Sequence, residues 1–130
     1  MTTFGMRRET KLGFDEARAK LPEVLKAEGF GILTEVDVKE TMKQKLNVEF
    51  RRFKILGVCN PPLAHQALTM DLTAGLMMPC NLSMYEADDG KTVLMAIDPT
   101  QLPVAQGGSP LKPLAEEVRD RLARVLEKMG

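Results

Sequence analysis

The sequence predicts an α+β fold, an antiparallel sheet packed against helices, and three observations predict it. Short runs with strand-like apolar spacing, at 31–36, 53–58, 80–86 and 92–97, are interleaved with segments whose apolar residues recur every three or four positions. The runs at 80–86 and 92–97 flank Asp88-Asp89-Gly90, a hairpin signal, because Asp and Gly accept the positive φ angles of tight turns. A length of 130 residues suits one compact domain spanning 1–130 and leaves no room for a second core.

The elements follow in order. Residues 6–12 read as a first strand, and Phe14, Ala17, Leu21, Val24 and Leu25 then recur at helical spacing until Glu28-Gly29 closes the segment. Pro22 lies inside that pattern and is expected to kink the helix or to make it start later. After the strand at 31–36, Asp37 and Glu40 have the spacing of a capping box for a short helix over 38–46, with Val38, Met42 and Leu46 as its apolar stripe. The strand at 53–58 is apolar on both phases towards its end, as expected of a central strand. Asn60 suits the cap and Pro61 the first position of a helix carrying Leu63, Ala64, Ala67, Leu68 and Leu72. Residues 74–79 read as a connection with an apolar tip, and 101–113 as a loop long enough to wrap an edge or form a lid. Leu114, Val118, Leu122, Val125 and Met129 mark a terminal amphipathic helix.

Composition narrows the function classes. Eighteen basic residues balance eighteen acidic ones, so no global field draws the protein to polyanions, and neither nucleic acid nor membrane is expected as a partner. The basic cluster Arg51, Arg52 and Lys54 reads as a solvated strand face or edge protection. No apolar run approaches the ~18 residues of a spanning helix, and the segment from Met1 to Arg8 lacks a signal-peptide stretch, so a cytoplasmic location with reduced cysteines is expected. Gly107-Gly108 lacks the lysine and spacing of a phosphate loop, and no cofactor is implied.

Chemistry concentrates at Cys59-Asn60-Pro61-Pro62, followed by the sole histidine, His65, and the sole other cysteine, Cys80. In an antiparallel meander the end of the strand at 53–59 lies beside the start of the strand at 80–86, which brings Cys59 to Cys80. Cys59 precedes a helix N-terminus, where unpaired N–H groups and the macrodipole favour a thiolate. Three functional readings use these residues. The first is a small-molecule site with Asn60, Leu63, Met77, Met78 and Met84 as lining, the helix N-terminus receiving an anionic group. The second is thiol-dependent redox or sulfur-handling chemistry, with Cys59 as nucleophile or sulfur carrier, Cys80 as resolving thiol and His65 as base. The third is a metal or haem site of Cys59, His65 and Cys80, a ligand set suited to zinc or copper. Against these stands a structural reading in which both cysteines are small buried hydrophobes. Ligand binding leads the functional readings, and whether the protein is an enzyme stays open. Leu76-Met77-Met78 and the second apolar face of the strand at 53–59 are expected to be covered in a dimer.

The runs Gly29-Phe30-Gly31-Ile32-Leu33-Thr34-Glu35-Val36-Asp37-Val38, Leu56-Gly57-Val58-Cys59-Asn60-Pro61, Met78-Pro79-Cys80-Asn81-Leu82 and Asp98-Pro99 give the chain a resemblance to the domain of unknown function family numbered 302. The resemblance spans nearly the whole chain. It implies a β-α-β4-α arrangement similar to that of the TATA-binding protein, with short extra helices, and a homodimer. It implies no activity, since fold likeness to a DNA-binding protein is not evidence of DNA binding.

Overall fold

A computed structural model describes residues 4–130. Five strands, β1 (Met6–Thr10), β2 (Gly31–Asp37), β3 (Phe53–Cys59), β4 (Cys80–Glu86) and β5 (Thr92–Ala96), form one antiparallel sheet in the order β1-β5-β4-β3-β2. Four α-helices accompany them: α1 (Phe14–Ala27), α2 (Val38–Leu46), α3 (Pro61–Met70) and α4 (Lys112–Met129). With α2 and α3 as additions, this is the expected β-α-β4-α order of an α+β fold. The hairpin closes as read, with the Ala87 and Gly90 N–H groups donating to the Lys91 and Ala87 carbonyls.

One face of the sheet carries the core. Leu56 and Val58 of β3, Leu82 and Met84 of β4, and Leu94 and Ala96 of β5 are buried against Phe14, Ala17, Leu21, Val24 and Leu25 of α1 and Leu122, Val125, Leu126 and Met129 of α4. Alternation explains the choice: successive strand residues point to opposite faces, so every second side chain meets the helix layer. The α1 stripe matches the predicted one, and α1 starts at Phe14 and runs through Pro22. Pro22 is exposed on the side of α1 away from the core.

The ends of the elements show why the chain turns where it does. α1 closes in a Schellman arrangement, the Gly29 N–H donating to the Lys26 carbonyl and the Phe30 N–H to the Leu25 carbonyl, with Gly29 at φ 85°. A side chain there would be strained, and its Cβ would stand 2.8 Å from Asn60 Nδ2. At α2 only half of the expected capping box forms. Asp37 Oδ1 accepts the Glu40 N–H, but the Glu40 carboxylate accepts from Gln44 Nε2 instead of reaching back.

Several readings of the connections need correction. β1 ends at Thr10 and β5 at Ala96, each shorter than expected. The apolar connection contains a 3-10 turn, Leu72–Met77, capped by Asp71, whose carboxylate accepts from the Thr73 N–H and hydroxyl. The long loop holds two more 3-10 turns, Pro99–Gln101 and Pro103–Ala105. The basic cluster is neutralised residue by residue: Arg51 pairs with Asp88, Arg52 with Asp15, and Lys54 with Glu35 at 2.8 Å. Glu35 also takes Arg18 at 2.7 Å, tying α1, β2 and β3 together, and these two cations lower its carboxyl pKa to about 2.

Candidate functional site

The two cysteines meet where β3 ends and β4 begins. Val58 of β3 pairs with Cys80 of β4, so Cys59, one position on, lies beside the start of β4 as the meander predicts. Both cysteines are free, half-buried and part of the lining of one cavity of about 100 Å³. Around them stand Leu63, Ala64 and Ala67 of α3, Ala74 and Met77 of the 3-10 turn, and Met78. The far wall is Pro99, Leu102, Val104 and Leu111 of the long loop with Leu114, Ala115 and Val118 of α4. The loop read as a wrap or lid therefore supplies one side of the site.

Among the described residues no charged side chain lines this cavity, and its one side-chain amide is hydrogen-bonded on both sides. Asn60 is buried, its Oδ1 accepting the Leu63 N–H and its Nδ2 donating to the Glu28 carbonyl at 3.2 Å. Arg121 Nη1 donates to the same carbonyl at 3.0 Å, while Arg124 grips the Glu28 carboxylate at 3.0 and 3.2 Å. Hydrogen bonding to Arg124 is the main cause of a lowered Glu28 pKa. This network fixes the end of α1, the start of α3 and the middle of α4 relative to one another behind the cavity.

Two expectations about the α3 N-terminus are overturned by the same geometry. Pro61 and Pro62 have no N–H, the Leu63 N–H is capped by Asn60 Oδ1, and the Ala64 N–H donates to the Asn60 carbonyl. Among the described residues the α3 N-terminus therefore offers no free N–H to an anionic group or to a thiolate. Accordingly, burial pushes the Cys59 thiol above its usual pKa, and burial together with the neighbouring Cys59 pushes Cys80 to about 11. Both thiols are neutral at pH 7.

The structure does not gather every residue the sequence singled out. His65 is exposed and is not part of the lining, because α3 turns Leu63, Ala64 and Ala67 inward and carries His65 round with Gln66 and Thr69. Among the described residues, no group of three or more His, Cys, Asp and Glu side chains is placed to hold a metal ion, so Cys59, His65 and Cys80 do not form the expected set. Met84 is also outside the lining. It shares a face with Cys80 but lies four residues along β4, roughly 13 Å away, and is fully buried in the core. Asn60, Leu63, Met77 and Met78 do line the cavity.

Fold and site together define a small α+β protein with helices α1 and α4 on one sheet face and an apolar cavity at one end of its central strands. The family model described as "Domain of unknown function DUF302" matches residues 6–129, and the chain belongs to that family. It is similar to a solved structure, that of an uncharacterized conserved DUF302 protein from Bacillus stearothermophilus. The two are 34% identical over 99% of this chain and 100% of that one, with a TM-score of 0.90. No curated protein matches the chain. Among the described residues no helix is long and apolar enough to cross a membrane.

Proposed function

We propose that this protein is a binding module for a small, neutral, apolar molecule, held between Cys59, Cys80, Leu63, Ala67, Met77 and Met78. One observation carries the reading: among the described residues no charged side chain lines the cavity, its sole amide is buried between the Glu28 carbonyl and the Leu63 N–H, and the adjacent helix N-terminus has no free N–H. An anion entering would lose its hydration without compensation, whereas an apolar molecule gains by burial. The volume of about 100 Å³ is of the same order as a dry cavity of ~150 Å³ that admits benzene. The module acts as one domain and as a homodimer, in a reducing cytoplasmic setting, with no nucleic acid as partner; the balanced charge and the paired basic cluster support the last point.

Calorimetric titration with toluene and with benzoate tests this. Toluene is expected to bind with a dissociation constant on the order of a millimolar and benzoate not to bind. Binding of benzoate equal to that of toluene would refute the reading, as would no binding of either.

A second reading is thiol-dependent handling of the bound molecule, favoured by the convergence of Cys59 and Cys80 on one cavity. Slow alkylation of both thiols by iodoacetamide at pH 7, rising only above pH 9, would count against it and is the outcome expected from their raised pKa values. Rapid alkylation of Cys59 at pH 7, abolished in Cys59→Ser, would favour it.

A further inference from the structure

Residues 55–85 contain a single charged residue, Asp71, where the chain's average of 28% charged would give about nine. Burial in β3 and β4 accounts for the two ends of this stretch. It does not account for the middle. Residues 60–79 form an arm, α3 and the following 3-10 turn, in which only Asn60 and Ala74 are buried. Leu72 and Leu76 are each 83% exposed and Met70 55%. Asp71, the arm's one charge, is spent as the cap of the turn. Charge depletion with methionine enrichment marks the central part of a protein interface; the exposed Leu33, Val36, Leu46, Val48 and Phe50 stand among charged residues in the sequence and carry no such signature.

We infer that this arm is the contact between two copies of the chain, with Leu72 and Leu76 of each copy seated over the other copy's apolar cavity. The occupant follows from the chemistry of the arm. A charged partner finds nothing to pair with, and a membrane surface finds none of the Lys, Arg, Trp or Tyr side chains that anchor interfacial segments. A second copy fits, because a two-fold contact requires one patch to be its own complement. Here knob and hole share one short segment: Leu72 and Leu76 stand out from the turn whose Ala74 and Met77 line the cavity. Size agrees as well. The twenty residues 60–79, with the loop residues Leu102 and Val104 across the cavity, approach the roughly 20–30 residues a side of a stable interface. Each cavity is then completed by the partner copy, so a bound apolar molecule is shut from water only in the dimer. This last point rests on the ligand reading; the contact itself does not.

Sedimentation equilibrium of the full chain, with and without toluene, tests the contact beside Leu72→Glu and Leu76→Glu. The wild type is expected to be a dimer, and each variant to weaken self-association by roughly a hundredfold or more, because the two-fold places two carboxylates in an apolar contact. Both variants are expected to keep the wild-type melting profile when monomeric, since neither side chain is packed in the monomer. Toluene is expected to tighten the dimer and to bind each variant several-fold more weakly. A wild type that stays monomeric at millimolar concentration overturns the inference, as does a dimer that both variants leave unchanged. A monomer that co-floats with phosphatidylcholine vesicles through Leu72 and Leu76 also overturns it and assigns the arm to lipid. A dimer broken by the variants but indifferent to toluene upholds the contact and refutes the ligand reading instead.

Discussion

The helix-covered face of the sheet and the arm over residues 60–79 solve opposite problems with similar residues. On the sheet face, α1 and α4 bury Leu21, Leu25, Leu122 and Leu126, and the charges around them are paired: Glu28 with Arg124, Glu35 with Arg18 and Lys54. On the arm, Met70, Leu72 and Leu76 stand in solvent and Asp71, the cap of the turn, is the one charge. The difference teaches that apolar content alone does not mark the core of this protein. What separates the two regions is whether charge accompanies it. Where the chain packs on itself, charged residues remain as the solvated backs of the helices. On the exposed arm all but Asp71 are absent.

Substitutions measure that contrast, beginning with the largest effect. Leu122→Ala, at a fully buried position of α4 between sheet and α1, is expected to lower the unfolding free energy by about 2–5 kcal/mol in urea titration. An effect below about 1 kcal/mol would mean that the helix layer is not the core. Gly57→Ala comes next. Its Cβ would stand 2.7 Å from Pro79 Cγ and in collision with Thr34 Oγ1, on the strand next to the cavity. About 1–3 kcal/mol should be lost, and toluene affinity with it, since Pro79 must shift.

A smaller effect is confined to acid. The Glu35 carboxyl titrates at about 2 in the folded protein against 4.5 unperturbed. A folded-state pKa below the unfolded one means that the contribution of Glu35 is complete above about pH 4.5 and disappears as pH falls towards 2. Glu35→Gln should therefore flatten the decline in stability across that window and leave the slope above pH 5 unchanged. A variant as steep as the wild type between pH 4.5 and 2 would show that Arg18 and Lys54 do not hold the carboxylate. Smallest of all is Leu72→Glu, which should change monomer stability by less than about 0.5 kcal/mol. A change comparable with that of Leu122→Ala would erase the distinction between the two regions.

The sequence made the sheet side legible for a simple physical reason. Residues such as Leu21, Leu25, Leu122 and Val125 must recur at the period of the element that buries them, so their spacing reveals both element and face. The adjacency of Cys59 and Cys80 was legible too, because antiparallel neighbours set the end of one strand beside the start of the next. The errors fall where local pattern and three-dimensional closure part company. Met84 has the right alternation but lies too far along β4, and His65 has the right sequence distance but the wrong helical phase. Cys59 has the sequence position of a helix-end thiol, yet the two prolines that announce α3 also strip its end of donors. The far wall, Leu102, Val104, Leu111 and Val118, lies far from Cys59 in the chain; the only signal for it was a loop long enough to wrap an edge. The 3-10 turn at Leu72–Met77 is not legible in the sequence because its signal is a single Asp71-to-Thr73 cap within an otherwise apolar run.

The methionines offer the most direct test of where an apolar molecule goes, since the chain has nine and they sample distinct places. Met77 and Met78 line the cavity, Met84 and Met129 lie in the core, and Met70 stands exposed on the arm. In a toluene titration of protein carrying carbon-13 in its methionine methyl groups, the Met77 and Met78 resonances should shift in saturable fashion with Met84 and Met129 unmoved. Saturable shifts at Met84 and Met129 with none at Met77 and Met78, or no saturable shift at any methionine, would contradict the assignment of this cavity as the binding site.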